Sequence, residues 1–286
     1  MIPAAFEYSR ARSLDDALSM LAAAAGSAKV LAGGHSLLPL MKLRLARPER
    51  LIDIGRLTEL RGIRRIDGGR LAIGALTTYD EMLADPILAH YGLMADALPN
   101  IGDVQVRNRG TIGGAVSHAD PASDMVAVLL ALDAEVVARS VRGERAIAMT
   151  GFLTGAFTSV LEADELVTEI RIPGGMPGFG SAYRAIEQPA SGYPIAGAAA
   201  VVGRLSATSG PWAVVAVAIT GVGEHAYRAV AVEAAIASGA GPAEAAARAT
   251  DGQTVASDIH ADREYRAHVA TVQVRRALEA AIARAG

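Results

Sequence analysis

Two glycine pairs, each placed after an apolar segment, most constrain how this chain can fold. One segment is Ala32, Gly33, Gly34, His35 and Ser36, and the other is Thr111, Ile112, Gly113, Gly114 and Ala115. Two further pairs, at 68–69 and 174–175, lack such a context. Glycine tolerates positive φ and lets the backbone approach a ligand with no Cβ between them. Both segments are therefore predicted to present main-chain amides to an anion.

The first pair is predicted to lie in a strand, turn and helix unit. Residues 28–32 are predicted as a short buried strand, and Ser36 as the N-cap of a helix over 37–45. Pro39 falls in the first turn of that helix, where its missing N–H costs little. Amides at such a helix start favour an anion by on the order of 0.3–1 kcal/mol for each charge interaction.

The second pair is predicted to have the same arrangement with a different continuation. Asp120 or Ser123 is expected to cap a helix over 125–132. Asp124 follows closely, so its carboxylate is placed to accept hydrogen bonds from sugar or ribityl hydroxyls. The local pattern leaves open the alternative that Asp124 only stabilises a helix N-terminus.

Composition restricts the chemistry that the chain can carry by itself. The 286 residues include no cysteine, which excludes disulfides and cysteine-ligated iron–sulfur clusters or zinc sites. A net charge of −3 provides no basic surface for nucleic acid. The usual dinucleotide, phosphate-loop, nucleophile-elbow and paired-histidine motifs are absent, so no catalytic or metal-ligating residue is predicted. No leader pattern or membrane span is recognised, which predicts a cytoplasmic protein.

Periodicity predicts three units along the chain. They are an α/β unit over 1–55, a second α/β unit over 56–175 and an α+β unit over 178–286, with a linker at 173–178. Predicted capping boxes begin at Ser13 and Thr78. The predicted strands and the final helix are 50–54, 71–75, 134–141, 166–172, 183–186, 195–202, 213–220 and helix 262–284.

These segments together resemble the FAD-binding medium subunits of molybdenum hydroxylases, the xanthine dehydrogenase family. The stretches that carry the resemblance are 32–44, 111–114, 120–124, 190–193 and 264–266. Within the family, the pattern is most similar to the medium subunits of aerobic carbon monoxide dehydrogenases. The resemblance covers nearly the whole chain and implies two α/β subdomains that enclose FAD, followed by an α+β C-terminal domain.

The resemblance also implies roles for single residues. Residues 32–36 and 111–115 would hold the FAD diphosphate and the neighbouring sugar portions, and Asp124 would bind ribityl or ribose hydroxyls. The backbone around Val167 and the side chain of Arg184 would lie near the flavin. Tyr193 is a candidate cover for the isoalloxazine ring, or else an ordinary half-buried tyrosine. Ala115 stands where the family has asparagine, which removes one side-chain hydrogen bond.

Partners follow from the same resemblance. A large subunit would carry molybdenum with molybdopterin, and a small subunit would carry two [2Fe–2S] clusters, in an (αβγ)₂ complex. The chain would then be the electron-transfer subunit, with no acid or base catalyst of its own. Two other functions fit the glycine segments, namely a stand-alone FAD-dependent oxidoreductase and a non-redox module that binds a nucleotide-sugar.

Overall fold

The computed structural model describes residues 2–175, 178–204 and 212–286. The strands are β1 (Glu7–Arg10), β2 (Ala28–Leu31), β3 (Arg50–Asp53), β4 (Ile63–Arg65), β5 (Leu71–Gly74), β6 (Glu135–Ser140), β7 (Gly143–Ala148), β8 (Leu153–Gly155), β9 (Thr158–Ser159), β10 (Leu166–Ile172), β11 (Phe179–Glu187), β12 (Pro194–Gly203), β13 (Val214–Thr220) and β14 (Tyr227–Arg228). The α-helices are α1 (Leu14–Ala24), α2 (Leu37–Lys42), α3 (Tyr79–Ala84), α4 (Gly92–Ala97), α5 (Val104–Arg107), α6 (Ile112–His118), α7 (Asp124–Ala131), α8 (Val230–Ala237), α9 (Pro242–Ala246) and α10 (Arg263–Ala285).

The N-terminal sheet consists of three parallel strands in the order β1-β3-β2. Helix α1 covers it and buries Ala17, Leu18 and Leu21 in one cluster with Ile52 of β3. The start of α1 departs from the predicted capping box. Ser13 Oγ accepts from Asp16 N at 3.2 Å, but the Asp16 carboxylate accepts from Arg12 N instead of from the cap residue.

The central sheet is antiparallel, in the order β4-β5-β10-β6-β7. Strands β5, β6 and β10 confirm the predicted strands at 71–75, 134–141 and 166–172. Strand β7 was not predicted, because most of its residues are exposed and it has no apolar alternation. The capping box at Thr78 is confirmed, since both of its reciprocal bonds with Glu81 are present.

The C-terminal sheet, β11-β12-β13-β14, is antiparallel and lies between helices. Successive residues of a strand face opposite sides. Ala198 and Ala200 of β12 pack in the cluster that contains α10, whereas Ala199 packs in the cluster that contains α7. Helix α7 is buried along its whole length, so it links this sheet to the central core. The predicted long final helix is confirmed as α10.

The boundaries of the three predicted units stay predictions. Part of the proposed linker, residues 176–177, lies outside the described residues, and residues 173–175 have no regular secondary structure. Within the described ranges, no helix is both long enough and apolar enough to cross a membrane.

Candidate functional site

The first glycine segment forms a loop with a run of unengaged main-chain amides. Within the described part of the chain, the N–H groups of residues 33–36 donate to no protein acceptor. Gly34 has a φ of 80°, and its carbonyl accepts from Leu38 N at 3.0 Å, which begins the first turn of α2. Successive free N–H groups in a turn of this kind form a concave site for an anion.

Two predicted details of this segment are wrong. Ser36 has φ −96° and ψ −49° and makes no side-chain capping bond, because a capping residue needs an extended backbone. Helix α2 ends at Lys42 instead of at residue 45, since Arg44 takes a left-handed φ of 59°. The Ser36 hydroxyl is therefore not used as a cap.

The second glycine segment is the beginning of a helix, not a loop after a strand. Thr111 is the N-cap of α6, with an extended backbone, and its Oγ1 accepts from Gly114 N at 3.2 Å. The element before it is the short helix α5 instead of an apolar strand. Thr111, three residues before Gly114, is the residue type that favours an N-cap, and this is the signal in the sequence from which the helix start could have been predicted.

Four of the five main-chain amides of this second segment, those of residues 112–115, are already occupied, which corrects the expectation that both segments offer a run of free donors. The donors and acceptors are Ile112 N to Thr77 O (3.1 Å), Gly113 N to Ala75 O (2.9 Å), Gly114 N to Thr111 Oγ1 (3.2 Å) and Ala115 N to Thr111 O (3.0 Å). The run of adjacent free amides therefore lies in the first segment, whereas in the second segment Thr111 N alone has no acceptor within the described residues. A contact from residues 111–115 stays a prediction, and among its glycines Gly114 is exposed while Gly113 is buried.

Folding brings the first segment against the two residues that precede the second segment, Arg109 and Gly110. A Cβ built on Gly33 would lie 1.9 Å from Arg109 O and 3.3 Å from Gly110 Cα. The residues that lead into the second segment thus pack on the backbone of the first, and only glycine fits at position 33. This contact could not be predicted from a local pattern, because Gly33 and Arg109 are 76 residues apart in the sequence.

The same region connects to strand β10. Ala75 accepts from Gly113 N and donates to Thr168 O, both at 2.9 Å. The β10–β6 pairing shifts register between Val167 and Glu169, a local irregularity of the kind found next to ligand sites. Val167 is only 3% exposed as a whole residue, and a contact of its main chain with a flavin stays a prediction.

Asp124 is a buried carboxylate at the first position of α7. It is 6% exposed, and its Oδ1 accepts from Tyr183 Oη at 2.6 Å. Burial raises the pKa of Asp124 from 3.8 to about 7, while the Tyr183 hydrogen bond opposes that rise. Neither predicted cap is confirmed, because Ser123 makes no side-chain capping bond and Asp120 Oδ1 instead accepts from Ala122 N at 2.9 Å.

Tyr193 lies close to this carboxylate. It is 45% exposed and closes a turn in which Gln188 N donates to its carbonyl at 2.8 Å. Burial raises the pKa of Tyr193, and the neighbouring carboxylates of Asp120 and Asp124 raise it further. The fold therefore brings two predicted site residues, Asp124 and Tyr193, to one place. The role of Tyr193 as a ring cover stays a prediction.

Arg184 is held by an acidic partner that sequence analysis did not single out. Its Nη1 lies 2.6 Å from Asp96 Oδ2, which also accepts from Tyr183 N at 3.0 Å and from Arg284 Nη1 at 2.8 Å. These bonds hold the pKa of Asp96 below its ordinary value against the opposing effect of burial. Asp96, in α4, thus joins β11 to the last turn of α10, and the placement of Arg184 beside a flavin stays a prediction.

Replacing Asp96 by alanine is expected to lower the free energy of unfolding by about 2 kcal/mol, because it leaves two guanidinium groups and a main-chain N–H without their acceptor. Urea unfolding measures the effect. The matched control is Asp251→Ala, which removes a surface pair with Arg248 whose side chains are 53% and 51% exposed. That control is expected to change stability by less than about 0.5 kcal/mol. An equal loss in both variants would contradict the joining role of Asp96.

Within the described ranges, no three histidine, aspartate or glutamate side chains converge to hold a metal ion. The arrangement instead offers free amides, a buried carboxylate and a half-exposed tyrosine, which suits a bound molecule with an anionic group, hydroxyls and a planar ring.

Two family models cover most of the chain and define its class. The model described as the FAD binding domain in molybdopterin dehydrogenase matches residues 4–175. The model described as the CO dehydrogenase flavoprotein C-terminal domain matches residues 181–281. The chain belongs to the family of FAD-binding medium subunits of molybdenum hydroxylases, and FAD is the cofactor of that family's domain.

Individual relatives place it more narrowly. The chain is 39% identical over 289 residues to the carbon monoxide dehydrogenase medium chain of Hydrogenophaga pseudoflava, with 99% of each chain covered. It is 36% identical over 290 residues to subunit alpha of the 6-hydroxypseudooxynicotine dehydrogenase complex of Paenarthrobacter nicotinovorans, covering 100% of this chain and 97% of that one. A structure of carbon monoxide dehydrogenase from H. pseudoflava lacking the Mo-pyranopterin moiety superposes with a TM-score of 0.94, at 40% identity and 99% coverage of both chains. These similarities confirm the predicted family and fold class, including the likeness to carbon monoxide dehydrogenase medium chains.

Proposed function

We propose that the chain is the FAD-carrying electron-transfer subunit of a heteromeric molybdenum hydroxylase. In this proposal it takes electrons from [2Fe–2S] clusters on a small partner subunit and passes them to an external acceptor. A large partner subunit carries the molybdenum cofactor, in an (αβγ)₂ complex located in the cytoplasm. The observation that carries the proposal is the run of four free amides at 33–36, packed against the residues that precede Thr111.

The residues present fit FAD. Free N–H groups at 33–36 suit the diphosphate, because an anion there accepts several hydrogen bonds at once. The Asp124 carboxylate, fixed through Oδ1, has Oδ2 to accept from a ribityl or ribose hydroxyl. In the proposed arrangement Tyr193, Arg184 and the main chain at Val167 surround the flavin ring. The proposed units over 1–55 and 56–175 enclose the cofactor, and the unit over 178–286 completes the site.

The division of chemistry follows from what the chain contains. Bound FAD supplies a group that accepts and releases electrons, while the protein binds it, orients it and controls its exposure to water. Because the chain has no cysteine, cysteine-ligated clusters must belong to another polypeptide. The similarity over 99% of both chains to a carbon monoxide dehydrogenase medium chain is what favours a subunit of a complex over a stand-alone oxidoreductase.

The relatives differ in the substrates that their names give. Relatives with 39% and 36% identity are named for different substrates, carbon monoxide and 6-hydroxypseudooxynicotine. Similarity of a medium subunit therefore does not select the substrate by itself. We propose carbon monoxide because both the sequence match and the structural match at 39–40% identity and 99% coverage are to carbon monoxide dehydrogenase.

The experiment is to purify the tagged full-length chain from its native host without oxygen. We expect a larger molybdenum-containing polypeptide and a smaller iron–sulfur polypeptide to co-purify, and carbon monoxide to bleach the visible absorbance of the flavin. An aldehyde and an N-heterocycle serve as comparison substrates, and bleaching by one of them alone would contradict carbon monoxide. A lone flavoprotein that turns over would support the stand-alone alternative. Binding of a nucleotide-sugar without FAD would support the non-redox alternative.

A further inference from the structure

The cofactor contact assigned above to Asp124 depends on a residue from the C-terminal sheet. Tyr183 of β11 is 1% exposed, and its hydroxyl reaches the Asp124 carboxylate from 59 residues away in sequence. The hydrogen bond measures 2.6 Å, and both partners lie in the protein interior. A buried donor aimed at a buried carboxylate restricts how that carboxylate can rotate.

We propose that Tyr183 is a positioning residue of the flavin site, whose hydroxyl orients Asp124 so that the second carboxylate oxygen accepts a hydrogen bond from a hydroxyl of the FAD ribityl chain. This inference rests on the proposed function, since it assumes the contact between Asp124 and FAD. It assigns to the C-terminal sheet a direct part in holding a cofactor that the preceding domain binds.

The neighbouring strand makes room for the tyrosine. A Cβ built on Gly197 of β12 would lie 2.1 Å from Tyr183 Oη and 3.0 Å from its Cζ. Gly197 has no positive φ, so space and not backbone conformation requires glycine here. Without that space the hydroxyl would have to move from its present position against Asp124.

The backbone of Tyr183 is also anchored. Its N–H donates to Asp96 Oδ2 at 3.0 Å, and Asp96 is held in turn by Arg184 and Arg284. The backbone of Tyr183 is therefore fixed, which gives its hydroxyl a defined position relative to Asp124.

A second attachment acts on the loop that leads into α7. Pro121 O accepts from Thr220 Oγ1 and from Gly221 N, both at 2.8 Å. Thr220 ends β13 and is fully buried. The C-terminal sheet thus holds the segment from Pro121 to Asp124 at both of its ends, consistent with a positioning role for the whole sheet edge.

The charged and titratable groups around Asp124 determine how the interaction depends on pH. They are Tyr183 and Glu187 from β11, Asp120 from the loop before α7, Tyr79 from α3 and Tyr193 from the turn before β12. Of these, Tyr183 is the one that donates a hydrogen bond to the carboxylate and so favours its charged form. Removing that donor raises the pKa of Asp124 further.

The test compares FAD binding by flavin-free full-length variants between pH 5.5 and 8.5. Tyr183→Phe is expected to raise the Kd of FAD about tenfold at pH 7, since it removes a hydrogen bond to a charged group. Because an ionised carboxylate is the better acceptor, affinity should rise with pH, and the midpoint of that rise should move to higher pH in Y183F. The matched control is Tyr227→Phe, which removes a similarly buried hydroxyl whose bond goes to Ala249 O at 3.1 Å.

Each outcome decides between the two proposals. If Y183F and Y227F lower the melting temperature but leave the Kd and its pH midpoint as in the wild type, Tyr183 is only structural and the inference is overturned. FAD binding by Asp124→Ala shows whether such a failure concerns only the role of Tyr183 or also the contact between Asp124 and FAD. A large loss of FAD in D124A with none in Y183F contradicts only the inference. Unchanged FAD binding in D124A contradicts the assumed contact, and the inference fails with it.

Discussion

Replacing Gly33 by valine is expected to weaken FAD binding at least about a hundredfold, because the side chain displaces the loop that carries the free amides. The first added atom would lie 1.9 Å from Arg109 O, so the loop at Gly33 must move away from Arg109. That movement misplaces the N–H groups of residues 33–36, which have no other acceptor within the described residues. Flavin content after purification and Kd for added FAD measure the effect.

The matched control for this substitution is Gly151→Val. A Cβ at Gly151 meets no atom within 4 Å, and this glycine has no positive φ. We expect G151V to keep its flavin, whereas G33V should also lose about 1–3 kcal/mol of stability through overpacking. Normal flavin content in a folded G33V protein would show that the amides at 33–36 do not bind the diphosphate.

Gly113→Val is a less informative variant than the sequence suggests. Its Cβ would lie 2.5 Å from Ala75 Cβ and 2.8 Å from Ala75 O, at a buried contact between α6 and the end of β5. The expected result is general destabilisation, with flavin loss as a consequence. The two glycine pairs that look equivalent in sequence therefore predict different outcomes.

The second large effect is expected in the pH dependence of stability of the flavin-free chain. Asp124 has a pKa of about 7 when folded, against an ordinary value of 3.8. The folded state therefore holds this proton at pH values where the unfolded chain has lost it. The contribution of this proton to the free energy of unfolding is fully present below pH 3.8, and it is lost as the pH rises through 7. The complete change is about 4 kcal/mol, and about 3 kcal/mol of it falls between pH 5 and 8.

Asp124→Asn is expected to remove that part of the pH dependence, because asparagine keeps an acceptor for Tyr183 but has no proton to lose. The difference in unfolding free energy between D124N and wild type should grow by about 3 kcal/mol from pH 5 to pH 8. Urea unfolding at four pH values measures it. A constant difference across the range would show that Asp124 is ionised throughout.

Other titratable groups also change the unfolding free energy with pH. Their effects are the same in D124N and in the wild type, so they cancel when the two are subtracted. Burial lowers the pKa of His118 from 6.5, so its contribution is lost as pH falls, opposite to Asp124. The carboxylates of Asp96 and Glu169 have pKa values held below their ordinary 3.8 and 4.5, and they act at lower pH. Asp251→Asn changes an exposed carboxylate and serves as the control, with no pH-dependent difference expected.

Much of the fold could be predicted from local patterns. Strands β5 and β12 are nearly continuous apolar runs, and β10 has four apolar residues out of seven. The bounds of all three agree closely with the predicted ones. The Thr78 capping box and the long α10 were also correct, because caps and helical periodicity depend only on near neighbours. The second glycine pair was assigned to the wrong element, since glycine is compatible with a loop and, after a capping threonine, with the first turn of a helix.

The amino-acid sequence by itself determined the family, the cofactor class and the positions of the two glycine segments, because these depend on residue types and short spacings. It also determined that cysteine-ligated clusters must lie elsewhere. The tertiary structure decided which segment keeps free amides, that Gly33 packs on Arg109, and that Tyr183 and Asp96 act on the site. The residues in these contacts are far apart in sequence. Asp124 and Tyr183 are 59 positions apart, Gly33 and Arg109 are 76 apart, and Asp96 and Arg184 are 88 apart. No local pattern encodes them, because hydrogen bonding and close packing at such separations exist only after the chain has folded.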